Sequence, residues 1–279
     1  MARPGFRKVK SSGGQVVAGT LMAAVAIALI GAAIWAYTDC DTCQPRRLTN
    51  DLCPVSGPVG YVAIVIDTTD RVSPLAQTEI DKVLSALLDE MTAGTKLGLY
   101  LVEDQTEAAP DGAARMAALC HPGRPEDVNI LTESRRDAQE VFQTQFLTPI
   151  DAALARMLAA DSSKSSPIAE AIRVAVADLL PYGDPSAPQT VILVSDMIQN
   201  SASFSFFRGD RWQNLSTAAK ESLSAPLQDA DIRLIQILRP DFWKTERSFD
   251  ADDVSEFWRD LLAQGQVERV ERVAQVPAK

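Results

Sequence analysis

Apolar residues in this chain follow two alternating patterns. Short, nearly unbroken apolar runs occur at YVAIVID (61–67), KLGLYLVED (96–104), TVILVSD (190–196) and DIRLIQIL (231–238). Such runs read as strands buried on both faces, as in the middle of a parallel sheet. Between them, apolar positions recur at helical spacing. They are Ile80, Val83, Leu84, Leu87, Leu88 and Met91; a long stretch over 133–160; SSPIAEAIRVAVADLL over 165–180; and Val254, Phe257, Trp258, Leu261 and Leu262. Thr148-Pro149 is expected to divide the long stretch, with Thr148 as N-cap and Pro149 at the first helical position. GAARMAALC (112–120) reads as a short edge strand, with helix as its compositional alternative, and VERVERV (267–273) as the last strand. Strands alternating with helices predict an α/β fold: a doubly wound, mostly parallel central sheet with helices on both faces.

A different pattern opens the chain. Residues 1–10 carry Arg3, Arg7, Lys8 and Lys10 and no acid, and no charge follows from Ser11 to Thr38. The apolar run VVAGTLMAAVAIALIGAAIWAY (16–37) spans about 33 Å as a helix, enough to cross a hydrocarbon core. The basic flank places the N-terminus in the cytoplasm, with Trp35 and Tyr37 at the far interface. The run exceeds the apolar region of a cleaved signal peptide, and no clean A-x-A site follows it. An uncleaved single-pass anchor is therefore expected. The organisation becomes a cytoplasmic tail (1–15), one transmembrane helix (16–37), a Cys/Pro-containing linker (38–58) and a globular domain (59–275). That domain is expected outside the cytoplasm, in the periplasm if the cell is bacterial.

Composition narrows the function. The chain has 279 residues, 46% hydrophobic and 23% charged, as in globular proteins. A net charge of -10 argues against nucleic acid as a partner, because phosphate binding needs a basic face. Cys40, Cys43, Cys53 and Cys120 allow three disulfide pairings. Cys53–Cys120 is preferred, since both should lie at strand ends in one domain. Zinc on Cys40-x-x-Cys43 is the alternative, but there is no second Cys pair and His121 is the only histidine.

Two of the predicted strands, taken as central in the sheet, end on acids, Asp67 and Asp196. Hydroxyls flank both: Thr68 and Thr69 follow the first, and Ser195 precedes the second. Ser165 and Ser166 open the helix that leads into the Asp196 strand. In a doubly wound sheet, ligands bind beyond the carboxyl ends of the strands, where strand order reverses. Carboxylate and hydroxyl oxygens suit a small hard cation such as Mg²⁺. The bland reading of the same residues is that the acids and Ser166 cap nearby helix N-termini.

These residues together resemble the von Willebrand factor A (vWA) family, over roughly 59–275. Its metal-ion-dependent adhesion site has Asp-x-Ser-x-Ser after the first strand, a Thr before a later helix and an Asp after the fourth strand. Asp67 matches the first Asp, and Thr69 stands at the first Ser. Arg71 stands at the second Ser and cannot ligate a metal. Ser166 aligns with the Thr, and Asp196 with the Asp of the family's TDG, where Met197 replaces the Gly. The resemblance implies Mg²⁺ held by Asp67, Thr69, Ser166 and Asp196, completed by an acidic residue of a protein partner. Arg71 turned inward would instead pair with Asp67 or Asp196 and leave a salt-bridged relic.

The function expected is a membrane-anchored, non-enzymatic binding module that docks a partner at the carboxyl edge of the sheet. A metal-free structural subunit of a cell-envelope complex is the alternative. A phosphoryl-transfer enzyme is disfavoured. Thr69 occupies the place of the second acid in DTTD, and no P-loop, dinucleotide fingerprint or nucleophile elbow is present. A Cys120–His121 nucleophile pair is conceivable, but sequence neighbours usually point apart. In FSFFRGDRW (204–212), Phe204, Phe206 and Phe207 form either an apolar contact patch or a lid tucked into the domain. Arg71 is counted with them as a partner contact. The RGD tripeptide is read as chance.

Overall fold

The computed structural model describes residues 13–38, 47–67, 72–106, 110–129, 133–159, 163–179, 187–227, 230–239, 242 and 249–277; side chains of the first helix are described over 22–35. The chain divides into two compact units. The smaller contains α1 (Gly13–Thr38), an uncharged helix of 26 residues. Within its unit its large apolar side chains, from Met22 to Trp35, are exposed. Among the described residues no helix is long and apolar enough to cross a membrane, and the described side chains of α1 cover only part of its length.

The larger unit begins at Arg47. Its elements are β1 (Gly60–Asp67), α2 (Pro74–Asp89), β2 (Thr95–Val102), β3 (Ala113–Cys120), α3 (Arg135–Glu140), a π-helical turn (Val141–Leu147), α4 (Thr148–Leu158), α5 (Ile168–Leu179), β4 (Gln189–Ser195), α6 (Thr217–Leu223), β5 (Ala230–Leu238), α7 (Ala251–Gln264) and β6 (Arg269–Pro277). They form one six-stranded sheet, ordered β3-β2-β1-β4-β5-β6. β3 alone is antiparallel. Strand order reverses between β1 and β4, which defines the switch point of a doubly wound sheet.

Both faces of the sheet are covered, which explains the unbroken apolar runs. Ala63, Val65, Val191 and Leu193 pack under α5 and α7 on one side. Ile64, Ile66, Ile192 and Val194 pack under α2 and α4 on the other. Successive strand residues point to opposite faces, so a strand covered on both sides needs apolar residues at every position.

The stretch around Pro149 departs from expectation. Thr148 is not an N-cap; the helix runs through it. Its Oγ1 donates to the Gln143 carbonyl at 2.7 Å, five residues back. Proline has no N–H and its ring crowds the carbonyl four residues earlier. The wider π turn over Val141–Leu147 accommodates it without a break. The segment 47–58, expected as linker, also belongs to the larger unit. Cys53 is disulfide-bonded to Cys120 at the end of β3, as the sequence led one to expect, and the Cys120 N–H donates to the Asp51 carbonyl at 2.9 Å.

Candidate functional site

Asp67 ends β1 beside Ser195, which ends β4, because the two strands pair in parallel up to Ile66 and Val194. Asp67 is buried, 3% exposed as a residue. Its Oδ2 accepts from Ser195 Oγ at 2.9 Å and from Ser166 Oγ at 3.0 Å. Ser166 comes from the loop before α5. It is held there by a two-way backbone clasp: Ser166 N–H donates to Asn200 O at 2.6 Å, and Asn200 N–H returns to Ser166 O at 2.9 Å. Ser166 is thus no helix cap. The α5 N-terminus is served by Gln199, whose Oε1 accepts from the Ala169 N–H at 2.9 Å.

The loop itself hangs on Asp104, just past β2. One oxygen, Oδ1, accepts from Ser163 Oγ, Lys164 N–H, Ser165 N–H and Ser165 Oγ at 2.7–2.9 Å. The hydrogen bond from Ser163, with those from Ser165 and Lys164, holds the Asp104 pKa below the ordinary value of 3.8. Gly112 lets the β2–β3 connection approach. It has φ +60°, and a Cβ there would lie 2.2 Å from Pro167 Cγ, one residue beyond Ser166.

Asp196 follows Ser195 on the same rim. Its Oδ1 accepts from the Ile198 N–H at 2.9 Å. Its Oδ2 lies 2.7 Å from Arg239 Nε, just past β5, as a close ion pair rather than an aligned hydrogen bond. The two side chains are 8% and 17% exposed. Met197 has φ +70°, the left-handed conformation that favours the glycine of the family pattern. A methionine there costs about 1 kcal/mol. The conformation is fixed from both ends: Met197 N–H donates to Ser195 Oγ at 2.8 Å, and Trp258 Nε1 donates to the Met197 carbonyl at 2.7 Å.

Of these groups, Ser166 and Asp196 line a cavity of about 130 Å³ beyond the carboxyl end of β4, together with Ser163, Lys164, Ser165, Ile198, Asn200, Phe207 and Phe242. Of the aromatic trio, only Phe207 reaches the surface, at 49% exposure. Phe204 and Phe206 are core residues and not a contact patch; they stack on Phe257 and Phe249, at 4.2 and 5.1 Å between ring centres. The RGD tripeptide is closed on itself, with Arg208 Nη2 2.8 Å from Asp210 Oδ2.

The structure therefore brings Asp67 and Ser166 into contact and sets Asp196 on the same rim. Thr69 and Arg71 lie outside the described residues. Sequence reasoning missed Arg239, Asp104 and Gln199. It noted Ser195 only as a neighbour of Asp196, not as a partner of Asp67. Tested against Mg²⁺, the described donors fit poorly. The ion demands near-octahedral oxygen coordination. Here one carboxylate is already met by two hydroxyls and the other by a guanidinium and an amide. Among the described residues no group of three His, Cys, Asp or Glu side chains is placed to hold a metal.

No protein-family model and no curated protein matches the chain. Solved structures similar to it include the conserved hypothetical protein BatB from Bacteroides thetaiotaomicron (14% identity, TM-score 0.36, covering 77% of this chain and 91% of that one). An aerotolerance-related membrane protein from Bacteroides fragilis is similar at 14% identity and TM-score 0.35, over 77% and 91%. The vWA domain of SpRpn10 is similar at 9% identity and TM-score 0.41, over 79% and 89%. At these scores the fold rests on the sheet order and not on the likenesses.

Proposed function

We propose that this protein is a vWA-like binding module, held at a membrane by α1, that docks a protein partner at the carboxyl ends of its strands. The observation that carries this reading is the cavity beyond the carboxyl end of β4, walled by the Ser163–Ser166 loop and Asp196, where Ser166 is tied to Asp67 of β1 and half-exposed Phe207 stands on the rim. The order of the sheet, its antiparallel edge strand and the positions of Asp67, Ser166 and Asp196 support the vWA-like assignment. An apolar side chain of the partner would pack on Phe207 and Phe242, with an acidic neighbour facing exposed Lys164. The protein acts by binding and not by catalysis. Cys120, the one nucleophile next to a histidine, is tied up in the disulfide.

The anchor is supported by the 26 uncharged residues of α1 and by the apolar side chains it exposes within its own unit. A helix that is apolar all round suits a lipid environment. The basic N-terminus directs the larger unit out of the cytoplasm, and a disulfide suits an oxidising compartment. Photo-crosslinking from native membranes tests the docking face. A photoreactive residue replacing Phe207 should capture a specific protein. The same residue replacing Val59, equally exposed at 49% at the other end of the sheet, should not. Equal capture from both positions, or capture from Val59 alone, would overturn the proposal.

A further inference from the structure

Among the described residues, the cation paired with Asp196 is Arg239, which is not one of the positions that carry the vWA resemblance. Asp196 has both carboxylate oxygens engaged, Oδ1 by the Ile198 N–H and Oδ2 by Arg239. With the two side chains 8% and 17% exposed, water screens the attraction weakly. Ser195 Oγ donates to Asp67 and accepts from Met197, so its hydrogen and one lone pair are in use. A divalent ion placed against Asp196 would meet the guanidinium on the same oxygen and be repelled by it.

We infer that Arg239 is the resident cation of this site, and that Asp67, Ser166, Ser195 and Asp196 form a complete constellation without a divalent metal. The guanidinium does what an ion would do for Asp196: it balances the carboxylate in a poorly hydrated place. Unlike an ion, it cannot be withdrawn by a chelator. Its contact is a single close approach of Nε to Oδ2, so it supplies charge balance, while the Ile198 N–H engages the other oxygen. This holds whether or not the site docks a partner.

Titration of the purified full chain with Mg²⁺ and Mn²⁺ tests the inference, with calorimetry and Mn²⁺ paramagnetic resonance as readouts. The wild type should show no Mn²⁺ uptake that Asp67→Asn or Asp196→Asn removes. Its unfolding temperature should be the same in EDTA as in about 5 mM Mg²⁺, because a ligand bound only to the native state would raise it. Arg239→Gln should gain Mn²⁺ uptake and lose it again when Asp196→Asn is added. Arg239→Lys, which keeps the charge, should gain none. Wild-type uptake that depends on Asp67 or Asp196 overturns the inference, as does a folded Arg239→Gln chain that takes up no Mn²⁺. If Arg239→Gln does not fold, the wild type and its two aspartate variants decide the matter on their own.

Discussion

At the amino ends of β1 and β4 the sheet borders a cavity of about 380 Å³, walled by Val59, Tyr61, Leu87, Met91 and Ile192 and flanked by Glu90 and Arg233. Beyond the carboxyl end of β4 the cavity is about 130 Å³. Volume favours the first end and chemistry the second. The Glu90–Arg233 pair spans 3.3 Å, with side chains 69% and 27% exposed, and orders little around it. At the other end a buried carboxylate collects two hydroxyls from separate segments, and an ion pair closes the rim. The contrast teaches that a site is marked by polar groups brought together from distant positions, not by the space beside them.

The sharpest way to break this contrast is to remove one charge from each end. Asp67→Ala leaves two hydroxyls of the buried rim without their acceptor and should cost about 2–4 kcal/mol of unfolding free energy. Glu90→Ala removes the exposed partner of the Glu90–Arg233 pair and should change stability by about 0.5 kcal/mol or less. Urea denaturation of the two variants measures both. Equal losses would mean that the two ends do not differ in the way described.

A smaller effect sharpens the picture of how the rim is held. The Asp104 pKa lies below 3.8 in the folded chain because its charged form accepts the loop's donors. A depressed folded value means that the charge contributes stability above the unfolded pKa, and that this is lost as pH falls through the folded one. Asp104→Asn keeps an acceptor oxygen but removes the charge. The stability difference between wild type and Asp104→Asn should be constant above about pH 5 and should close below pH 3.8. A difference that persists unchanged in strong acid would show that the charge is not what holds the loop.

Much of this was legible in the chain. Doubly covered strands must be apolar at every position, so β1, β2, β4 and β5 stood out, and the acids that end β1 and β4 marked the switch point. Ser166 was reachable because a hydroxyl before a helix is a strong local signal. Arg239 was not: an arginine after a strand looks like any surface cation until β5 is known to lie beside β4. Asp104 was hidden for the same reason, since its donors are about 60 positions away in sequence. Phe204 and Phe206 occur in a polar-looking stretch, and only the arrival of Phe249 and Phe257 makes that place a core. The π turn escaped because a proline is read locally as a break, whereas the cost of breaking an already packed helix is set by what it covers.

The Cys53–Cys120 bond also determines how the larger unit would carry a mechanical load. A pull applied to the chain from the side of residue 46 enters through residues 47–53 and reaches the covalent bridge before it reaches β1. Part of the tension can pass through sulfur into the end of β3, an edge strand on the far side of β2 from the switch point. Two covalent routes therefore lead inward from residue 53, one along the backbone to β1 and one through sulfur to β3, so a pull from that side is shared between a central strand and an edge strand.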